Sequence, residues 1–105
     1  MKHLILGTIT LATILGTACA GAPEGKALFA AKCQSCHGPN GEGKPAIAKM
    51  FGATIHPFSS KEVQGKSDAD LKKIITAGQG KMKPIAGIDG QQADDIVAFI
   101  RTLKQ

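Results

Sequence analysis

Three stretches of the chain repeat apolar residues at helical spacing. From Glu24 to Lys32, the apolar or small residues Gly25, Leu28, Phe29 and Ala31 alternate with polar Lys26 and Lys32, and Pro23 suits a first turn. In the second stretch Leu71, Ile74 and Ile75 form one apolar face, with Lys72 and Lys73 turned away. Ser67 is a natural N-cap for it, Asp68 and Asp70 suit the positive end of its dipole, and Gly78 is a stop. In the third, Ala93, Ile96, Val97, Ile100 and Leu103 recur on one side with Phe99 beside them. Asp89 caps this helix, Gln92 completes a capping-box pair, and Arg101 and Lys104 lie where positive charge is favoured.

The connections are dense in turn formers. Gly38-Pro39-Asn40-Gly41-Glu42-Gly43-Lys44-Pro45 predicts a loop, and Ala46 to Met50 a short helical turn. Thr54 to Phe58 holds β-like residues, but Pro57 and its brevity argue against a strand. Ser59 to Lys66 reads as polar loop, and Gln79 to Ile88 as an irregular segment holding Met82 and Pro84. The expectation is an all-α fold of three main helices and long loops, with no internal repeats.

Ahead of the first helix, Lys2 and His3 precede an apolar run from Leu4 to Leu15 and then small residues, the layout of a secretory signal. That run is too short to span a bilayer, which takes about 20 residues. Two processing routes stay open. Ala18-Cys19-Ala20 fits cleavage after Ala20, which leaves a soluble domain over residues 21–105. Gly16-Thr17-Ala18-Cys19 also resembles a bacterial lipoprotein box, with signal 1–18 and a lipid anchor at Cys19. The soluble route is preferred, because such a box usually carries leucine where Gly16 stands.

Composition changes the picture in one respect. The chain has no Trp or Tyr and four Phe in 105 residues, so the mature domain has a thin core and needs a staple. The formal charge of +5 is mild and falls by one if Lys2 leaves with the leader. Lysines are scattered in ones and twos, without the basic run or interleaved aromatics of a nucleic-acid binder, and no nucleic-acid partner is expected.

The staple stands at Cys33-Gln34-Ser35-Cys36-His37. A C-x-x-C-H run is the attachment signature of c-type haem. Two thiols nearly one turn apart can reach the same porphyrin edge, while the adjacent histidine turns in under the iron as fifth ligand. A thioredoxin-like dithiol would need a βαβ context that this pattern lacks. A zinc site would need a second pair of ligands, and Cys19 is the only other cysteine. Haem c, attached through Cys33 and Cys36, is the expected cofactor, and it would lower the net charge further through its two propionates. Export fits this chemistry, because c-type haem is attached outside the cytoplasm.

His37 leaves one axial position open, with Met82, Met50, His56 and, ranked last, a lysine as candidates. Met82 is best placed, in a loop between Lys81 and Lys83 with Pro84 stiffening the turn. A methionine in such surroundings is poorly explained as core. Met50, beside Phe51 and close after His37, is expected to pack in the core. His56 before Pro57 would give a bis-histidine site but is more commonly a surface or propionate-contacting residue. A His/Met pair closes both axial positions, disfavours dioxygen or peroxide chemistry and favours ferrous iron.

These residues resemble the class I c-type cytochromes, particularly the small bacterial and algal types, from Glu24 to the C-terminus. The strongest match is Gly25 to Cys33 leading into the haem motif: Gly25 and Phe29 stand eight and four residues before Cys33, as in the family. There the first and last helices cross at that glycine, and Ala93 to Ile100 resembles the last helix, with Phe99 as the packing aromatic. The resemblance implies a small cytochrome c fold around one covalently bound haem. It implies His37 as proximal ligand, Met82 as distal ligand, and a Pro45 carbonyl accepting the His37 Nδ1–H. Pro39 competes for that last role, and without Tyr or Trp the usual propionate donors have no counterparts.

The resemblance further implies a monomeric, periplasmic electron carrier between redox protein donors and acceptors, docking by an exposed haem edge where Lys81 and Lys83 stand. A haem enzyme would need an open distal site with acid–base residues. A sensor or accessory subunit would need a separate output partner.

Overall fold

The computed structural model describes residues 21–104. Residues 1–20, read above as a secretory signal with two candidate processing sites and Cys19, lie outside the described residues. Six helices follow in order among the described residues: α1 Ala22–Lys32, α2 Gln34–His37, α3 Pro45–Phe51, α4 Lys61–Gln64, α5 Asp68–Ala77 and α6 Gly90–Thr102. No strand forms among them, only a single bridge between Gln79 and Met82.

The three long helices are the three that the sequence predicts, with caps where the residues put them. The Ser67 hydroxyl accepts from the Asp70 amide at 3.1 Å. Asp89 and Gln92 exchange backbone and side-chain bonds at 2.8 and 3.0 Å, a complete capping box that satisfies two otherwise orphaned donors. Gly78, with φ +81°, terminates α5.

The core forms where α1 crosses α6. Ala22, Gly25, Phe29 and Cys33 lie along one side of α1 and its end, and all are buried. On α6 the buried set is Ala93, Ile96, Val97, Phe99 and Ile100. Gly25 sits at the contact itself. A Cβ there would run into the carbonyl of Asp95 and lie 2.9 Å from the Ile96 amide nitrogen, so two backbones meet with no room for a side chain. Leu71 and Ile75 of α5 close the cluster from the other side of α6 with Phe58 and Val63. Phe29 and Ile96 are the most completely buried large side chains.

Two local expectations change, and the end of the first helix holds. Ser59 to Lys66 is not all loop: α4 occupies Lys61–Gln64, one turn whose sole buried side chain is Val63, too short to show a period. The first helix ends at Lys32, where the pattern puts it, and leads into the haem motif. α1 stops at Lys32, Cys33 takes φ −118°, and α2 restarts as a separate turn over Gln34–His37. Met50 is not core. It is 68% exposed, because α3 is a short outer helix with no buried residue.

Candidate functional site

Burying the apolar faces of α1, α5 and α6 leaves a cavity of about 520 Å³ beside the core, within the size range of cofactor sites. Cys33, Cys36, His37 and Met82 all line it. The first three arrive on the short restart of helix after α1. Met82 arrives on the segment after α5, more than forty residues later in the chain. Leu71, Ile75, Ile85 and Ile100 are among the apolar side chains between them.

His37 is placed by the loop that follows it. Its carbonyl accepts from the Gly43 amide at 2.7 Å, which curls the chain back under α2. Gly41 then takes φ +65°, and its carbonyl accepts from the Phe58 amide at 2.8 Å. A Cβ on Gly41 would stand 2.6 Å from the Phe58 ring, so this glycine lets Phe58 close on the loop. Phe58 in turn lies against the His37 imidazole, centroids 4.7 Å apart and planes tilted by 31°. Phe29 packs on Phe58 at 5.6 Å and on Phe99 at 5.1 Å. A continuous aromatic chain therefore runs from the α1/α6 crossing to the imidazole.

Met82 is held by a tight turn. Gln79 and Met82 exchange both backbone bonds at 2.9 Å, and the Ile85 amide returns to the Ile75 carbonyl at 3.0 Å, tying the segment to α5. Gly78 is required beneath it, because a Cβ there would lie 2.7 Å from the Met82 carbonyl oxygen and 2.9 Å from the Pro84 ring.

The electrostatics of the site favour neutral, ligating side chains. Burial pushes the Cys33 thiol up to about 11, with the neighbouring Cys36 adding to the effect. Burial also lowers the His37 pKa, so the imidazole is neutral at pH 7 and offers a nitrogen lone pair. Two thiols, a neutral imidazole and a soft thioether around apolar walls are the donor set of a covalently held haem, and the residues present fit that group.

His56 also lines the cavity, while Met50 does not. Pro45 does not take the place expected of it. The His37 Nδ1 is buried without a hydrogen-bond partner among the described residues, and Pro45 is an exposed residue at the start of α3. Polar groups missed by the sequence reading gather where the main cavity adjoins a second one of about 610 Å³: Thr54, Lys66 and Gln79 line both, together with His56, Glu62 and Lys81. Scattered over the chain, they carried no spacing signal.

The model of the cytochrome c family matches residues 22–104. The chain belongs to the cytochrome c family. It is 38% identical over 88 residues to cytochrome c-554(547) of Halothiobacillus neapolitanus, covering 79% of this chain and 97% of that protein. Its fold is similar to that of the KustC0563 c-type cytochrome, with a TM-score of 0.65 and 25% identity over 77% of this chain and 98% of that one. The chain is thus a class I c-type cytochrome with the small cytochrome c fold. As a cytochrome c it is a haem protein of electron transfer that works with redox protein partners. No helix among the described residues of this cytochrome is long and apolar enough to cross a membrane.

Proposed function

We propose that this cytochrome is an exported, monomeric electron carrier with one haem, joined by thioethers to Cys33 and Cys36 and ligated by His37 and Met82. The observation that carries the proposal is the meeting of these four side chains, from two distant segments, on one apolar cavity. The bound group would supply a one-electron couple at iron. The protein's part is to hold it still and dry. Cys33 and Cys36 would anchor one edge, the His37 imidazole would present its lone pair on a half-buried ring packed on Phe58, and the turn at Gln79–Met82 would present the thioether. With His37 and Met82 both given to the iron, the site would leave small molecules no vacant coordination position, which favours outer-sphere transfer over catalysis. Lys81 and Lys83 are exposed beside Met82 and supply positive charge for docking an acidic partner. The leader, residues 1–20, would carry the chain to the periplasm, with Cys19 either removed or lipidated.

The test is the optical spectrum of the oxidised protein. A weak near-infrared methionine-to-iron band that disappears in Met82→Ala, with carbon monoxide binding the reduced variant but poorly the native protein, is the expected result. No such band in the native protein would overturn methionine ligation. Histidine ligation through His56, which lines the same cavity, would then be tested by His56→Ala. Mass spectrometry of the purified protein reads haem number, thioether attachment and the processed N-terminus together.

A further inference from the structure

The site is polar at one end only. Cys33, Cys36 and His37 line the main cavity and not the one that adjoins it, whereas Thr54, His56, Glu62, Lys66, Gln79 and Lys81 line both. The polar side chains thus gather at an end that the two thiols do not reach. A haem c is amphipathic in the same sense. Its thioether-forming groups stand on one edge of the ring and its propionate carboxylates on the opposite edge. Anchored at Cys33 and Cys36, it would bring those carboxylates to the polar end.

That end favours an anion, since two lysines and a histidine stand there against one carboxylate, Glu62. Of the six side chains, Lys66 alone is half-buried, and the other five are exposed. Partial burial strengthens an ion pair, because solvent and salt screen it less. The Lys66 backbone is also anchored. Its carbonyl accepts from the Arg101 Nη2 at 2.6 Å, and its amide donates to the Val63 carbonyl at 3.1 Å. Arg101 also donates to the Gln64 carbonyl at 3.1 Å and to Asp68 at 2.9 Å, so the chain on both sides of Lys66 is tied to α6. The lysine side chain therefore starts from a fixed point. Gln79 is fixed likewise, by the two backbone bonds it exchanges with Met82.

We propose that Lys66 is the cation that takes a haem propionate at this mouth, with the Gln79 amide as a neutral donor beside it, in a chain that has no Tyr or Trp to serve. This rests on the reading of Cys33 and Cys36 as the haem attachment. The charge-assisted bond would hold the ring edge opposite the thioethers. The same cation favours the ferrous form, because reduction adds one negative charge to the site. Lys61, exposed at the start of α4 and lining neither cavity, has no such contact to make.

The experiment is isotope-edited infrared spectroscopy of the haem-loaded protein. Cells are fed aminolaevulinic acid, the haem precursor, labelled with heavy carbon at its carboxyl group, which marks the haem at its propionate carboxylates alone. The native protein, Lys66→Met and Lys61→Met are compared, and the reduction potential of each is measured. Expected are label-sensitive carboxylate bands in the native protein, one of which shifts in Lys66→Met while all stay in place in Lys61→Met. The potential should fall further in Lys66→Met than in Lys61→Met. No label-sensitive band, or no thioether-bound haem by mass spectrometry, would overturn the haem reading and this proposal with it. Labelled bands that stay in place in Lys66→Met would overturn the propionate contact alone. So would an equal shift in Lys61→Met, since net charge would then account for it. A potential no lower than that of Lys61→Met would overturn the role in favouring ferrous iron. Should Lys66→Met fail to hold haem, Lys66→Arg, which keeps the charge but replaces the ammonium by a planar guanidinium, must move the same band. An unmoved band there would overturn the contact.

Discussion

Replacing Gly25 by alanine tests the helix crossing on which the core depends. The added methyl would collide with the Asp95 carbonyl and crowd the Ile96 amide nitrogen, both backbone atoms fixed within α6. No rotamer change can relieve that contact, so α1 and α6 must part locally. Overpacking typically costs about 1–3 kcal/mol where side chains can yield, and a backbone partner puts this site at or above the upper end. Separating the surfaces also thins the contacts around Phe29, Ala93 and Ile96, since a gap of about 0.5–1 Å forfeits a quarter to a half of each dispersion well. Against this, alanine is better than glycine inside a helix by about 1 kcal/mol. The net loss expected is about 2–3 kcal/mol. For a domain of this size it lowers the thermal midpoint by roughly 10–20 °C. The assay is reversible unfolding of the haem-loaded protein, followed by circular dichroism in denaturant and heat. Lys26→Ala, at an exposed position in the same turn, serves as control and should shift the midpoint little. A Gly25→Ala midpoint at or above that of the native protein would refute the reasoning.

Asp89→Ala removes the side-chain acceptor of the capping box and should cost about 1 kcal/mol, read as a lower denaturation midpoint with unchanged slope. Asp89→Asn, which keeps an acceptor oxygen, should recover most of it. Reversing charge at Lys81 and Lys83 together should slow reduction by an acidic redox protein several-fold at low salt, and the difference should vanish as salt is raised. An unchanged low-salt rate would remove those lysines from the docking face.

The long helices were legible because each carries a local signal on a solvent-facing frame. The Asp89/Gln92 box and the Ser67 cap lie within three residues of their partners, so no tertiary knowledge is needed to see them. The Gly25 crossing was legible only through resemblance. In sequence it is a glycine in a helix, a mild penalty, and its purpose appears once Asp95 is found against it. What stayed hidden has a common cause. α4 is a single turn with one buried side chain, and Met50 reads as core by composition although α3 has no partner on that side. In both cases the outcome depends on a neighbour that local pattern does not specify.

The site divides in the same way. Cys33, Cys36 and His37 are contiguous, so their chemistry fixes their spacing and the spacing can be read. Met82 was inferred from its surroundings, a polar loop in which a thioether has no packing reason, and it does line the same cavity as His37. The support behind His37 could not be read, because it is built from residues scattered between Phe29 and Arg101 with no common spacing: Gly41 opens space for Phe58, Phe29 and Phe99 back it, and Gln64 and Arg101 tie it to α6. The expected polar partner, the Pro45 carbonyl, makes no hydrogen bond to the His37 Nδ1 among the described residues, and the imidazole packs on Phe58. Because the aromatic chain begins at Phe99, one α6 turn from the Gly25 contact, the crossing and the imidazole are mechanically linked. A change that parts α1 from α6 should therefore loosen Phe29 and, through Phe58, disturb His37 as well as lower stability. Gly25→Ala should thus broaden or shift the His37 imidazole signals in the folded protein, whereas Asp89→Ala, off that aromatic chain, should leave them in place.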